Sequence, residues 1–444
     1  MFLETFTTLL AVSRTTNLAA RFTGVRKFLP ALSPKRFGLV GAIDPDVIAR
    51  QMDTCTSFND VAWVEFWKAV AFEQVAILDG ELQKAGLGGV GSWLETPSTE
   101  ISQPDITTFL SRGYKVFTHT PIGSYTDIDE LTKGEPTEVC SSIIGVSAAL
   151  KACSYLFLAA WPGRTPKRTD AYHTLKKLFD LLLDSIAPRL NLVVERYILK
   201  SQGEAITIYG LLPTSLIEAE SRGMPAVLVS NGLEGTNVES IMPFLRSAHL
   251  DAAALFFMEM PGTYAYKNPM KAGVSEKIYS DAISYIASHR HIDGDRIGMM
   301  GLSFGGNWTT RMAICEPRLK AVVVNGAPLR RSLGMSGSYG MPQIMLEALA
   351  NTTGAETSLA MASSLQALVP KRDDIRRIKC PVLAINGETD TLVSTQDTVD
   401  LAEMAPVSQL KLYEGDDHCA MSHVGEWIQL SMEWMQKHVV LASD

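Results

Sequence analysis

The stretch that decides the fold is Arg296–Ile314, which reads RIGMMGLSFGGNWTTRMAI. Its first five residues predict a buried strand, and the residues from Gly306 onward predict a helix. Between them, Gly301-Leu302-Ser303-Phe304-Gly305 fits the pattern G-x-S-x-G. The pattern alone arises by chance in roughly one chain in five of this composition. A strand–turn–helix context is more specific, because there the glycines relieve crowding while the serine is exposed as a nucleophile. Ser303 is therefore the candidate nucleophile.

Two later loops supply partners for this serine. A serine hydroxyl is a poor nucleophile by itself, so it needs a base, and the base needs an acid that orients it. In a fold with this elbow the acid and then the histidine follow the serine, each beyond a late strand. Asp390 follows the predicted strand 382–386, and His418 follows the predicted strand 410–413. The pattern favours these two residues, and the open alternatives are Glu388 and Asp397 for the acid and His423 for the base.

The loop after the predicted third strand, Ser230-Asn231-Gly232-Leu233-Glu234-Gly235-Thr236, is the candidate oxyanion loop. We expect the backbone N–H groups of Phe304 and Leu233 to face the oxyanion, with Gly232 allowing close approach of the backbone. Glu234 is either a site carboxylate or the cap of the following helix. The sequence has no HExxH motif and no Cys/His cluster, so we expect no metal and no cofactor.

Eight short runs rich in β-branched residues predict an α/β fold with a mostly parallel eight-stranded sheet. The first two read as an antiparallel hairpin around Ser201–Gly203. We place the catalytic domain at 191–444, with a helical insertion at 329–376 whose helices cover 341–350 and 358–368. The predicted strands are 192–199, 205–211, 226–230, 253–258, 296–300, 321–325, 382–386 and 410–413.

Residues 1–190 instead show apolar side chains at helical spacing, which predicts a helical N-terminal cap domain over the mouth of the site. Trp67 and Tyr155 are candidate substrate-binding aromatics, although their position on helical stripes favours a place in the cap core. Gly86, Gly88 and Gly91 satisfy G-x-G-x-x-G, but they follow a predicted helix (63–84) rather than a strand. We therefore interpret Gly86 as the end of that helix and not as part of a nucleotide site.

Composition excludes several other classes of protein. The chain is 46% hydrophobic and 20% charged, with a net charge of −8 and no basic stripe, so we expect no nucleic-acid partner. Six cysteines without a CxxC pair predict reduced thiols. No uninterrupted apolar run reaches the ~18 residues of a membrane span, so we expect no membrane partner. We predict a cytoplasmic protein; the Arg-rich start, without an acid between Glu4 and Asp44, leaves an organelle transit peptide as the less favoured alternative.

Over roughly residues 50–440 the chain resembles α/β-hydrolases with a helical N-terminal cap. These include the fungal polyketide chain-shortening hydrolases of naphthopyrone and melanin pigment pathways. More distant similarity connects it with 2,6-dihydroxypseudooxynicotine hydrolase and fermentation-respiration-switch-type esterases. The segments that carry the resemblance are Asn231–Glu234, Met260–Thr263, Gly301–Gly306, Asn386–Asp390, His418, and in the cap Ala148–Ala152, Tyr155 and Ala159–Gly163.

The resemblance implies hydrolysis of a C–C bond next to a ketone, a retro-Claisen cleavage of a polyketide-like small molecule. It also implies a dimer formed through the cap and, in some relatives, a cap carboxylate that assists catalysis. The alternatives are a carboxylesterase or thioesterase, a cyclase or acyl transferase on the same triad, and a catalytically silent binding protein. The three possible counterparts of the cap carboxylate are Glu65, Glu73 and Glu138.

Overall fold

The structure is a computed structural model that describes residues 2–96, 104–218, 223–247, 251–334 and 340–441. The chain divides into two compact units. The helical unit is Asn17–Val194 together with Met242–Arg246. The sheet unit is Glu195–Ile241 and the chain from Ser247 onward, and it also includes the segment that ends at Thr16. The sequence prediction had assigned that segment to the helical domain.

The sheet unit contains the mostly parallel eight-stranded sheet that the sequence predicted, so the predicted α/β fold is confirmed. Its strand order is β1-β2-β4-β3-β5-β6-β7-β8. β2 runs antiparallel to β4, and the strands from β4 to β8 pair in parallel. The strands are β1 Leu192–Ser201, β2 Glu204–Pro213, β3 Met224–Ser230, β4 Ala254–Met258, β5 Ile292–Leu302, β6 Leu319–Asn325, β7 Val382–Gly387 and β8 Ser408–Tyr413.

Burial along the strands follows their position in the sheet. Every residue of β3, β4 and β7 is buried, as expected for central parallel strands that are covered on both faces. β8, at one edge of the sheet, buries only Tyr413. β1 and β2 are joined by the two-residue turn Gln202-Gly203, in which both residues have positive φ, as in type I′ hairpins.

The sheet alternates with helices, and a group of three helices (α16 to α18) stands between β6 and β7. The α-helices of the described residues are α1 Phe2–Ser13, α2 Thr16–Thr23, α3 Ser33–Gly41, α4 Pro45–Thr54, α5 Asp60–Lys84, α6 Gly91–Leu94, α7 Pro104–Ser111, α8 Lys115–Thr118, α9 Ile128–Thr132, α10 Thr137–Ala160, α11 Pro166–Ile186, α12 Thr214–Glu218, α13 Asn237–Phe244, α14 Val274–Ala287, α15 Phe304–Cys315, α16 Gln343–Thr353, α17 Ser358–Gln366, α18 Arg372–Ile375, α19 Thr395–Met404 and α20 Val424–Met435.

The core of the helical unit is built around α10, which packs against α3, α5 and α11. The sequence predicted no membrane span, because no uninterrupted apolar run is long enough. By length and composition α10 would qualify, yet 89% of its most apolar window is buried inside the unit. Serines interrupt its apolar run, but Ser142 and Ser154 donate to the backbone carbonyls of Glu138 and Phe37, so their polarity is satisfied within the core.

Gly86 ends helix α5, as predicted. Its φ is +74°, its N–H donates to the carbonyl of Gln83, and the N–H of Leu87 donates to the carbonyl of Leu82. These two bonds form a Schellman motif, which satisfies the last carbonyls of the helix. The glycine run at 86–91 therefore has a structural role at the end of a helix.

Candidate active site

Ser303 lies in a sharp turn between β5 and α15, with φ +53° and ψ −122°. A positive φ is strained for a residue with a side chain, and the flanking glycines leave space for the tight turn at Ser303. A Cβ at Gly305 would lie 2.5 Å from the carbonyl oxygen of Ser230, and a Cβ at Gly301 would collide with the carbonyl of Gly305. The N–H of Ser303 donates to the carbonyl of Asn325 on β6 over 2.7 Å, which fixes the turn to the neighbouring strand.

The structure brings Ser303, His418 and Asp390 into one hydrogen-bonded chain. Ser303 Oγ and His418 Nε2 are 2.8 Å apart, and His418 Nδ1 and Asp390 Oδ2 are also 2.8 Å apart. The side chain of His418 is 6% exposed and that of Asp390 is fully buried. The distances are those of a serine whose hydroxyl proton can pass to an oriented imidazole.

Both carboxylate oxygens of Asp390 are held in place. Oδ1 accepts from the backbone N–H groups of Leu392 and Val393, each over 2.8 Å. Oδ2 accepts from Asn386 Nδ2 over 2.8 Å in addition to its contact with His418. Because four donors surround the buried carboxylate, its charge is satisfied and its orientation is fixed.

The electrostatics of the pair favour charge on both partners. Burial alone would raise the pKa of Asp390, but the His418 charge and the hydrogen bonds to the carboxylate hold that pKa below its ordinary value. Burial alone would lower the pKa of His418, but Asp390, with a smaller contribution from Cys419, raises it well above its ordinary value. An imidazolium formed at His418 is therefore stabilised by the carboxylate beside it.

The loops that carry Asp390 and His418 are bonded to each other. Asp417 Oδ1 accepts from the N–H of Thr391 over 2.7 Å and from the N–H of His418 over 2.7 Å. The Asp416 carbonyl accepts from both the N–H and the hydroxyl of Thr389, each over 2.9 Å. These bonds set the distance between the acid and the histidine independently of the bond between the two side chains.

The loop after β3 reaches the candidate nucleophile at Gly232. A Cβ at this position would lie 2.7 Å from Ser303 Cβ and 3.3 Å from Ser303 Oγ, so only glycine fits beside the hydroxyl. Leu233 follows immediately and lines the same cavity as Ser303. Phe304 is the first residue of α15, so its N–H has no acceptor within the helix. Leu233 and Phe304 therefore both line the cavity that contains Ser303, and their role as oxyanion donors stays a prediction.

Ser303, Leu233 and His418 open onto a cavity of about 430 Å³ within the sheet unit. Its walls come from α1, α16, α17 and the loops after β6 and β7. Most lining side chains are aliphatic or methionine, and none of the described residues that line it is Asp, Glu, Lys or Arg. The volume lies within the range of ~300–1,000 Å³ typical of small-molecule sites.

The alternative acids and base have other surroundings. Asp397 accepts from the backbone N–H groups of Leu329, Arg331 and Ser332, so its carboxylate orders the loop after β6. His423 Nδ1 lies 2.8 Å from Asp416 Oδ2. Glu388 is exposed.

The remaining candidates lie away from Ser303 or are enclosed. Glu234 is fully buried, and its Oε1 accepts from the Thr352 hydroxyl over 2.8 Å. Trp67 and Tyr155 stack on each other at 6.3 Å inside the helical unit, where both are buried. Of the three cap carboxylates, Glu65 and Glu73 are exposed, and Glu138 pairs with Arg112 at the surface.

Sequence reasoning missed several residues that shape this site. Asn386 lies in a segment quoted for its resemblance, but its bonds to Asp390 and, through Oδ1, to the N–H of Cys419 required coordinates. Asp417 looked like one acid in an acidic loop. The N-terminal helix α1 contributes Thr8 and Ala11 to the cavity, and no sequence motif indicates that contact. Among the described residues, no group of three or more His, Cys, Asp or Glu side chains is arranged to hold a metal ion.

The sequence model of the FrsA-like family, described as Esterase FrsA-like, matches residues 146–440, which is more than half of the 444-residue chain. The chain belongs to the FrsA-like esterase family. The match includes Ser303, Asp390 and His418, and it leaves α1 outside. Family membership together with the sheet topology places this FrsA-like protein among proteins of the α/β-hydrolase fold.

Among curated proteins, this FrsA-like chain is 31% identical over 251 residues to 2,6-dihydropseudooxynicotine hydrolase of Paenarthrobacter nicotinovorans. That alignment covers 54% of the chain and 63% of the hydrolase. The chain is 25% identical over 195 residues to the esterase FrsA of Vibrio vulnificus (strain YJ016), covering 42% of the chain and 47% of the esterase. It therefore spans less than two-thirds of the length of each of these relatives.

Two solved structures share the fold of this FrsA-like protein. AbyA5 superposes with a TM-score of 0.56 at 20% identity, covering 66% of this chain and 83% of AbyA5. The 2,6-dihydroxy-pseudo-oxynicotine hydrolase superposes with a TM-score of 0.56 at 22% identity, covering 81% of this chain and 95% of that one. At these identities the similarity establishes the common fold, and a reaction has to be argued from the site.

Proposed function

We propose that this FrsA-like protein is a serine hydrolase of secondary metabolism that cleaves a C–C bond next to a ketone in a polyketide-like substrate. Ser303 is the nucleophile, and His418 is the general base and acid. Asp390 orients the imidazole of His418 and stabilises its protonated form. The observation that carries the proposal is the Ser303–His418–Asp390 hydrogen-bond chain, with both contacts at 2.8 Å, which opens onto a cavity that no Asp, Glu, Lys or Arg of the described residues lines.

The reaction begins when Ser303 Oγ attacks the ketone carbon and His418 Nε2 takes the hydroxyl proton. The carbonyl oxygen becomes an oxyanion and accepts hydrogen bonds from the N–H groups of Leu233 and Phe304. The adduct collapses when the bond to the α-carbon breaks and its electron pair leaves as an enolate. His418 returns its proton to that carbon, and an acyl-enzyme remains on Ser303.

Water completes the cycle. His418 removes a proton from the water molecule, the resulting hydroxide attacks the acyl carbon, and the second oxyanion forms at the same two amides. Ser303 then leaves with the proton of His418, and a carboxylic acid is released. One water is consumed for each C–C bond broken. A β-diketone suits this chemistry because its second carbonyl stabilises the departing enolate.

The cavity supports an uncharged and largely apolar substrate around the reacting carbonyl. His418 is the one ionisable side chain among the described residues that line the cavity, so a charged group away from it would lose its hydration without gaining a partner. The resemblance to polyketide chain-shortening hydrolases and the 31% identity to 2,6-dihydropseudooxynicotine hydrolase support a ketone over a peptide or a phosphate ester.

A second candidate is a carboxylesterase or thioesterase, because the matched family is described by its esterase activity. The same three residues would act, and the leaving group would be an alkoxide or a thiolate. This reaction needs no carbanion, so it differs from the first proposal in the substrate and not in the machinery.

The test combines labelling with product analysis. Wild-type protein, Ser303→Ala and the control Ser363→Ala, an exposed serine on α17, are treated with a fluorophosphonate. The three proteins are also incubated with a β-diketone naphthopyrone and with a p-nitrophenyl ester, and the products are followed by mass spectrometry.

We expect labelling of the wild type and of Ser363→Ala at Ser303, and release of an acid fragment from the diketone by both. Turnover of the ester alone would replace the leading proposal by the second. Product formation that survives in Ser303→Ala would refute the triad.

A further inference from the structure

Helix α1 forms one wall of the cavity that contains Ser303. Thr8, Ala11 and Val12 line it together with side chains of α16 and α17 such as Met345 and Met361, and Val12 is also 79% exposed. α1 packs against α16 in the sheet unit. The family match begins at residue 146, so α1 is an element that this chain adds to the matched region.

The position of α1 is fixed by a specific polar contact. The N–H of Gly340, just before α16, donates to the Thr8 hydroxyl over 3.0 Å. One turn further along, Ala11 is 8% exposed, whereas the neighbouring Leu9 is 62% exposed. The helix therefore presents a face of short side chains to the cavity and holds that face in register with α16.

Ala11 has the smallest side chain of the three α1 residues that line the cavity. The rest of the cavity wall combines leucine and methionine side chains with smaller ones such as Ser358 and Ala362. A larger side chain at position 11 would point into the cavity, since protein interiors are close-packed and have no other volume to offer.

We propose that α1 closes a binding subsite for an uncharged, flexible acyl or alkyl-ketone chain, and that Ala11 sets the length of chain that the subsite accepts. Methionine and leucine walls suit a flexible aliphatic chain, because methionine adapts its shape and no Asp, Glu, Lys or Arg is among the described lining residues. This inference rests on the proposed function, since it assigns the chain to the acyl part that Ser303 would retain.

The test measures selectivity for chain length. Wild type, Ala11→Phe and the control Leu9→Phe, which places the same side chain on the exposed face of α1, are compared with p-nitrophenyl acetate and p-nitrophenyl decanoate. The same proteins are labelled with a short-chain and a long-chain alkyl fluorophosphonate. Labelling reports the reactivity of Ser303 without requiring turnover.

For Ala11→Phe we expect kcat/KM for the decanoate to fall at least tenfold and labelling by the long probe to slow in parallel. The acetate and the short probe should change less than twofold, and Leu9→Phe should match the wild type with all four compounds. Equal changes for short and long compounds, or no change for either, would overturn the subsite.

Two further outcomes separate the inference from the proposed function. If Ala11→Phe does not fold, as judged by loss of the thermal transition, Ala11→Val takes its place, and a uniform effect of that variant on all four compounds would overturn the subsite. If Ser303 of the wild type reacts with neither probe and hydrolyses neither ester, the proposed function fails as well. A reactive wild type with unchanged selectivity at position 11 refutes the subsite alone.

Discussion

Replacing Asp390 by asparagine removes the negative charge of its carboxylate with almost no change in the shape of the side chain. The asparagine amide nitrogen must take the place of one of the two carboxylate oxygens. In the place of Oδ1 it faces the N–H groups of Leu392 and Val393 and leaves both without an acceptor. In the place of Oδ2 it faces His418 Nδ1 and Asn386 Nδ2, the two nitrogens that donate to Oδ2 in the wild type.

Each arrangement has a calculable cost. A buried donor without a partner costs roughly 1–3 kcal/mol, so losing both backbone acceptors would lower the free energy of unfolding by about 2–6 kcal/mol. The second arrangement avoids this loss, but it makes His418 accept at Nδ1 and carry its proton on Nε2. That nitrogen then points a proton at Ser303 Oγ and cannot act as the base. A wrong tautomer of this kind lowers kcat by about 10⁴ in serine triads, which corresponds to about 5 kcal/mol.

The assay is kcat/KM for a p-nitrophenyl ester with wild type, Asp390→Asn and Glu388→Gln. The last variant neutralises an exposed acid two residues away, so it controls for the loss of one negative charge in the same loop. Urea unfolding of the three proteins separates a lost base from a lost fold. We expect a fall of about 10⁴ for Asp390→Asn and less than a twofold change for Glu388→Gln. A fall of less than tenfold for Asp390→Asn, or an equal fall for both variants, would refute the assignment of the acid.

Three further outcomes follow from the structure. His418 must be neutral to accept a proton, so we expect kcat/KM to rise with pH through a midpoint above 6.5, and a midpoint at or below 6.5 would contradict the raised pKa of His418. The raised pKa of His418 stabilises the folded protein fully below pH 6.5, and this stabilisation is lost as the pH rises through the same midpoint. The lowered pKa of Asp390 stabilises the folded protein above pH 3.8, and this stabilisation is lost as the pH falls below that value. Urea unfolding at several pH values measures both effects. Gly232→Ala places a Cβ 2.7 Å from Ser303 Cβ, so fluorophosphonate labelling should slow at least tenfold while the thermal transition persists. Trp63→Ala removes a fully buried ring and should lower the free energy of unfolding by about 3–5 kcal/mol, as measured by urea titration.

Local patterns were sufficient to predict the sheet. Each of the eight strands contains a short run rich in apolar or β-branched residues, and every predicted run overlaps an observed strand. The ends were less accurate, because β5 begins at Ile292 rather than Arg296. The residues Asp293-Gly294-Asp295 are poor strand formers, and they lie in an irregular stretch of β5 between the pairs Met224–Ile292 and Ala226–Ile297.

Long-range contacts in the site could not be predicted in the same way. The contact between Thr8 and Gly340 joins residues 332 positions apart, and neither has a periodic or motif signal. The bond between Asn386 and Asp390 spans four residues, yet an asparagine at the end of a strand is an ordinary turn residue by pattern alone. Asp390 and His418 could be proposed as acid and base from the sequence, because the fold dictates the order of these residues along the chain. The groups that hold them in place are not subject to such a rule.

The bonds from Asp417 to Thr391 and His418 have a consequence for engineering by loop exchange. Residues 388–392 and 414–423 are separate in sequence but share their hydrogen-bond acceptors. A chimera that takes only one of these loops from a relative would pair an imported backbone with a native partner of different geometry. The two segments should therefore be exchanged together, and a library that recombines members of this family should take both from the same parent.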